Sequence, residues 1–226
     1  MLNYTKANLI YENPLNTPDT VKDFILEGEA KISFPNGKMQ LENALDEGLG
    51  QKSNFVFWCP QNFGGNMEIS WKFKPLREPG LAIMFFNATG LNSEDIFSPS
   101  LPKRTGEYPM YHSGEINCYH ISYFRRRWQE EREFHTCNLR KSKGFHLVAL
   151  GADPIPSVED SKSEYEIKVV VLDNNIEFFV DDLPIFSWYD NSELGAPSTH
   201  GKIGFRQMAP LTAQYWDLKI YEIVST

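Results

Sequence analysis

The fold is decided by residues 166–188, EIKVVVLDNNIEFFVDDLPIFSW. This stretch reads as three β-strands joined by two tight turns. EIKVVVL (166–172) and IEFFV (176–180) are dense in β-branched and aromatic side chains, which suit a pleated surface. Asp173-Asn174-Asn175 lies between them, and Asp181-Asp182 precedes LPIFSW (183–188). Asp and Asn tolerate the left-handed backbone that close hairpins require.

The same signature recurs outward in both directions. KISF (31–34) and KMQLEN (38–43) flank Pro35-Asn36-Gly37, another hairpin. LIYE (9–12), FVFW (55–58), MEISWKF (67–73) and LAIMFFN (81–87) read as strands, and MEISWKF places Met67, Ile69, Trp71 and Phe73 on one face. EINCYHISYF (115–124), FHTCNLRK (134–141), GFHLVAL (144–150), GKIGFRQM (201–208) and YWDLKIYEI (215–223) continue the series. RRRWQEERE (125–133) interrupts it, and GADPIPSVEDSKSE (151–164) is rich in turn formers. About a dozen strands with few amphipathic helices predict one all-β domain over residues 1–226, an antiparallel two-sheet sandwich. A long loop insertion at 88–113 has little periodicity and much Pro, Ser and Gly, with a weak signal for a short helix at 93–97. Loops of that length in compact domains are often functional.

Composition narrows the function class. Of 226 residues, 41% are hydrophobic, 14% aromatic and 23% charged, and the formal net charge is −8. An acidic chain argues against a general nucleic-acid binder or a polybasic membrane anchor. No apolar run reaches membrane-spanning length and no signal peptide is visible. Three cysteines (Cys59, Cys118, Cys137) do not make a disulfide framework, so a reducing cytoplasm is the expected setting. Metal and nucleotide motifs are absent, so no metal and no cofactor are expected. The sequence leaves homo-oligomerisation open.

Longer phrases carry a resemblance. The run VDDLPIF (180–186) followed by GKIGFR (201–206) resembles the back half of concanavalin A-like jelly rolls, the sandwich of lectins and glucanases. NFVFWCP, REPGLAIMFF, SYFRRRW, FHTCNLRKSKGFHLVA, GADPIPSVED and GFRQMAP, spread over nearly the whole chain, are similar to the YesU-like family of uncharacterised bacterial proteins. That resemblance implies a galectin-like, concanavalin A-like fold and a cytoplasmic setting in pectin degradation, rhamnogalacturonan included. It supplies no catalytic residues, and fold alone does not give function.

Candidate chemistry concentrates between residues 112 and 146. Seven Arg and Lys stand there against four Glu, a net +3 that leaves −11 on the rest of the chain. Four of the five histidines (His112, His120, His135, His146) fall in the same window. A positive island on a negative protein fits a small anionic ligand, such as a sugar carboxylate gripped by Arg forks. Ion pairing of those Arg with neighbouring Glu is the plain alternative. Strand parity puts Asn117, Tyr119, Tyr123 and Arg125 on one face of 115–124, with Cys118, His120, Ser122 and Phe124 on the other. It puts Asn138 and Arg140 together, and predicts Phe145, Leu147 and Ala149 as core with His146 on the open side.

Three functions compete. Jelly-roll glucanases carry E-x-D-x-x-E or E-x-D-x-E on one strand, whereas Glu115-Ile116-Asn117-Cys118-Tyr119-His120 lacks the second and third carboxylates. β-Elimination on a uronate needs a carboxylate neutraliser, a base and an acid. The expected catalytic residues are His120, Tyr123 and His135. The expected substrate-binding residues are Asn117, Tyr119, Arg125, Trp128, Asn138, Arg140, His146 and Arg206. The third function is non-catalytic, a lectin-like or assembly protein using aromatic platforms drawn from Trp58, Trp128, Trp188 and Trp216. The expected partner throughout is a small acidic oligosaccharide of the pectin or rhamnogalacturonan type. An enzyme should hold a titratable His or Tyr against an Arg beneath residues 88–113. A binding module should show an open groove with exposed aromatics.

Overall fold

A computed structural model of the chain describes residues 1–161 and 164–226. Of the turn-rich loop 151–164, Lys162 and Ser163 lie outside the described residues. Sixteen strands, two short α-helices and four 3-10 segments occur among the rest. In chain order the strands are β1 (Tyr4–Asn13), β2 (Ile25–Glu27), β3 (Ala30–Ser33), β4 (Met39–Asn43), β5 (Phe55–Trp58), β6 (Phe63–Gly64), β7 (Met67–Arg77) and β8 (Leu81–Gly90). They continue with β9 (Ile116–Tyr123), β10 (Thr136–Ser142), β11 (His146–Ala152), β12 (Tyr165–Leu172), β13 (Asn175–Val180), β14 (Leu183–Tyr189), β15 (His200–Met208) and β16 (Thr212–Ser225). Helix α1 (Pro109–His112) lies between β8 and β9, and α2 (Gln129–Glu133) occupies the charged stretch between β9 and β10.

Every strand pairing is antiparallel. The first sheet runs β14-β13-β12-β7-β16-β4-β3, with β1 added to β16. The second runs β11-β10-β9-β8-β15-β5-β2, with β6 added to β15. This is the expected two-sheet sandwich. The 166–188 hairpins form as read, except that the first turn uses two residues, Asp173 (φ 49) and Asn174 (φ 65), and Asn175 already belongs to β13. Asp181 (φ 49) and Asp182 (φ 62) make the second turn. Left-handed pairs match the twist of the strands they join.

The inter-sheet core is built from alternate residues. Met67, Ile69, Trp71 and Phe73 of β7 meet Met84 and Phe86 of β8, Tyr119, Ile121 and Tyr123 of β9, and Phe205 of β15. Each fully buried side chain of this kind contributes about 1.5–3 kcal/mol. The aromatic richness is therefore mostly core, as the pairs Phe73–Tyr123 (5.1 Å) and Phe205–Tyr215 (4.9 Å) illustrate.

The 88–113 insertion differs from expectation. Its first three residues end β8, no helix forms at 93–97, and the segment is a packed cap. Ile96, Phe97, Tyr108, Met110 and Tyr111 cover Val56, Trp58, Ile83, Phe85 and Cys118 on the outer face of the second sheet. A buried ion pair and a close backbone approach help to fasten it. Arg104 pairs with Glu27 at 2.7 Å, both buried, and Trp58 Nε1 donates to the same carboxylate at 2.9 Å. Gly106 (φ 91) passes so close to β5 that a Cβ there would sit 2.0 Å from the Asn54 carbonyl oxygen. Glycine is the residue that fits that approach.

The β10–β11 hairpin carries a second correction. Leu147 and Leu150 are exposed, whereas Val148 and Ala149 pack on the core. A register shift at Leu139/Arg140 breaks the simple alternation assumed for 144–150. Phe145 (φ 58) is half-exposed rather than core, and the His146 ring lies over Gly144, which has no Cβ to collide with it.

Candidate functional site

The outer face of the second sheet, at the edge of the cap, carries the clustered chemistry. Register assembles it in two rows. Asn138, Ser122, Ile83 and Arg206 are consecutive cross-strand partners on β10, β9, β8 and β15. In the next row stand Arg140, His120, Phe85 and Gly204. Three rings roof these rows: Tyr108 and His112 from the insertion, and Phe145 from the hairpin tip. Tyr108 lies 4.8 Å from His112, 5.4 Å from Phe145 and 5.5 Å from His120, centroid to centroid. His112 and Phe145 are 4.1 Å apart.

The polar groups below are unevenly satisfied. Arg206 is wholly buried; its Nη2 donates to Gln51 Oε1 and the Gly106 carbonyl, each at 3.3 Å. Its Nε and Nη1 have no partner. His120, equally buried, places Nδ1 3.5 Å from Ser142 Oγ and leaves Nε2 without a partner. Asn138 Oδ1 is also unpartnered. Arg140 donates to the Phe145 carbonyl at 2.8 Å, with its guanidinium carbon 3.8 Å from the Phe145 ring centre. Among the described residues, neither Arg140 nor Arg206 pairs with a carboxylate. Buried polar groups are ordinarily satisfied, so several orphans on one patch are unusual.

Charge without counter-charge shifts the neighbours. Burial, then Arg140, His112 and Arg206, hold the His120 imidazole well below its usual range, so it is neutral. Burial followed by Arg206 and Arg140 brings His112 down to about 4. Burial lowers Arg206 to about 10. Burial pushes the Tyr108 phenol up to about 12, against the pull of Arg206 and Arg140.

Four of the eleven expected site residues meet here: His120, Asn138, Arg140 and Arg206. The others do not. Tyr123 points into the inter-sheet core, where its Oη accepts from Trp71 Nε1 at 3.1 Å. Tyr119 also faces inward; its Oη donates to Asp190 and accepts from Ser198 N. Asn117 accepts from the Lys143 backbone N–H at 3.4 Å. Arg125 is taken by Glu131 at 2.8 Å and Thr136 at 2.6 Å, which is the ion-paired alternative. Trp128 is exposed beneath Arg127, and His135 is exposed before β10. His146 stays at the hairpin. Of the other Trp platforms, Trp58 is buried, Trp188 packs against the core and Trp216 lies under Lys38. Cys118 and Cys137 lie on opposite faces, in different clusters, and no metal-ligating group occurs among the described residues.

Tyr108, His112, Ser122 and Phe145 belong to the cluster and were missed as site residues. A signal was present for the first two. Ile96, Phe97, Tyr108, Met110 and Tyr111 are too apolar for a solvated loop, which marks that stretch as a packed cap. Ser122 required the parity of β9 to be resolved, and Phe145 required the register shift.

Cavities occur elsewhere. One of about 320 Å³ is lined by Asn66, Tyr119, Asp173, Asn174, Ser198 and Thr199, among others. None of its lining residues carries an unpartnered buried polar atom. The chemical case lies with the cluster, where His120, Asn138 and Arg206 carry such atoms.

The chain matches the Domain of unknown function (DUF1961) over residues 8–220. It is 48% identical over 222 residues, 98% of this chain and 99% of the other, to the uncharacterised protein YesU of Bacillus subtilis (strain 168). It is similar to a Bacillus subtilis crystal structure described as a protein of unknown function with a galectin-like fold. There the identity is 47%, the coverage 99% of this chain and 100% of that one, and the TM-score 0.94. At 16% identity it shares the fold of a structure described as a native glycosidic hydrolase, covering 98% and 100% of the two chains with TM-score 0.64.

Proposed function

Because this chain belongs to the DUF1961 family, whose domain is of unknown function, we propose a function from its own site: it binds short acidic oligosaccharides of the pectin or rhamnogalacturonan type. The observation that carries this reading is Arg206, a buried guanidinium with two unpartnered nitrogens and no carboxylate against it. Isolated buried charge is costly, and a ligand carboxylate would offset that cost. Arg140 supplies a second fork, and Tyr108 and Phe145 offer faces for a sugar ring. The galectin-like sandwich and the glycosidic-hydrolase neighbour are consistent with a sugar ligand.

Glycosidase chemistry has no support in the cluster, because no carboxylate stands beside its two arginines. The reading places the protein in the cytoplasm, where the unpaired Cys59, Cys118 and Cys137 would stay reduced. Among the described residues no helix is long and apolar enough to cross a membrane.

Thermal unfolding in the presence of galacturonic acid, acidic pectin oligosaccharides and galactose tests the proposal. The acidic sugars should raise Tm and galactose should not, and Arg206→Met should abolish the rise. Equal stabilisation by galactose would remove the carboxylate from the argument.

A further inference from the structure

The groups left over once Arg206 and Arg140 hold a carboxylate are an unpartnered imidazole nitrogen and a phenol on the same patch. Granting the acidic-sugar reading on which this rests, we propose that a uronate at this site is cleaved by β-elimination, with His120 Nε2 as base and Tyr108 Oη as acid.

The chemistry balances without a cofactor. The carbon next to the carboxylate, C5, loses its proton to His120 Nε2. The electron pair left on C5 is delocalised into the carboxylate, which Arg206 and Arg140 neutralise. It then forms the C4=C5 double bond as the C4–O bond breaks, and Tyr108 Oη gives its proton to the departing oxygen. The products are a 4,5-unsaturated uronate and a free hydroxyl, and proton transfer from His120 back to Tyr108, through solvent, resets the site.

Each assignment has a structural reason. His120 Nδ1 faces Ser142 Oγ at 3.5 Å, so a proton on Nδ1 leaves the lone pair on Nε2. The imidazole is neutral in its buried, cationic surroundings, as a base must be. The Tyr108 phenol keeps its proton at neutral pH, as an acid must. The Tyr108 ring lies 4.4 Å from the Arg206 guanidinium carbon and 5.5 Å from the His120 ring, so acid, base and neutraliser share one patch. Neither Nε2 of His120 nor Nη1 of Arg206 is in contact with solvent, so the aromatic roof must part as substrate enters.

The test uses the full chain with oligogalacturonates and with alternating rhamnose–galacturonate oligosaccharides, both joined through O4 of a uronate. Absorbance of unsaturated uronates reports elimination, product mass reports the bond change, and thermal unfolding reports binding. The expected result is new absorbance with no gain of water. Tyr108→Phe keeps the ring and removes only the hydroxyl, so kcat should fall by ~10²-fold or more with KM little changed. His120→Asn should lose kcat similarly while oligosaccharides still raise its Tm. Oligosaccharides that bind without new absorbance, or that gain water, would overturn the elimination and leave the acidic-sugar reading standing. Absence of both binding and absorbance overturns both. Full activity in Tyr108→Phe overturns its role as the acid.

Discussion

Tyr108 and Arg206 are held as a pair. The Tyr108 ring centre lies 4.4 Å from the Arg206 guanidinium carbon, and both residues donate to one acceptor, Gln51 Oε1, from the Tyr108 backbone N–H at 3.1 Å and Arg206 Nη2 at 3.3 Å. An aromatic face attracts a cation, but more weakly than a desolvated carboxylate would. Arg206 is therefore held in place without being neutralised. Arg206→Met, similar in length and uncharged, should stabilise the free protein by roughly 1–3 kcal/mol. Urea unfolding measures this; a loss of stability would make Arg206 a structural residue and weaken its assignment to ligand.

Arg104 should behave in the opposite way. Its guanidinium neutralises buried Glu27 at 2.7 Å and fastens the insertion to the sheet. Arg104→Met leaves that carboxylate buried with only neutral partners, Trp58 Nε1 and the Tyr111 hydroxyl, at a cost of roughly 3–5 kcal/mol. Hydrogen exchange of residues 96–111 should quicken more than exchange in β7. Uniform quickening would mean that the cap is not separately fastened.

Tyr123 separates core from site. Tyr123→Phe removes the acceptor of Trp71 Nε1 and should cost roughly 1 kcal/mol, or about 2–4 °C in Tm. Binding of acidic oligosaccharides should be unchanged. A selective loss of binding with intact stability would return Tyr123 to the site.

The buried imidazole sets an acid limit. The folded protein keeps His120 neutral far below its usual range, while the unfolded chain takes up the proton near pH 6.5. Below that value the unfolded state binds more protons, so stability falls as pH drops, and this contribution is absent above it. The slope from His120 alone approaches about 1.4 kcal/mol per pH unit until its folded value is reached. Unfolding of wild type and His120→Asn between pH 7 and 5 checks this, since the variant should show a shallower slope. Parallel slopes would assign the acid loss to other groups.

The sandwich was legible because its signals are local. Asp173-Asn174 and Asp181-Asp182 favour left-handed backbone wherever they occur, and Met67 to Phe73 alternate cleanly. The site was legible only in part, because it depends on which face of β9 meets the other sheet. Both faces of residues 115–124 carry aromatic and polar groups. Tyr119 and Tyr123 satisfy their hydroxyls inside the core, through Asp190 and Trp71, so polarity was a poor guide. The positive window dissolved similarly: Arg125 and Arg126 are spent on Glu131 and Asp153. Arg206, distant in sequence, joins His120 only through the β9-β8-β15 register.

The cap over Trp58 and Phe85 also governs how a chain could approach. A polysaccharide laid across an open sheet is read at internal sugars, like a rope in a trough. Here Ile96 and Tyr111 cover one part of the outer face, and Tyr108, His112 and Phe145 roof the rows beside it. The trough is lidded, so a ligand reaching Arg206 would first have to lift those rings. If the proposed oligosaccharide binds there, the work of lifting that lid falls once per encounter, which favours short fragments over a long polymer.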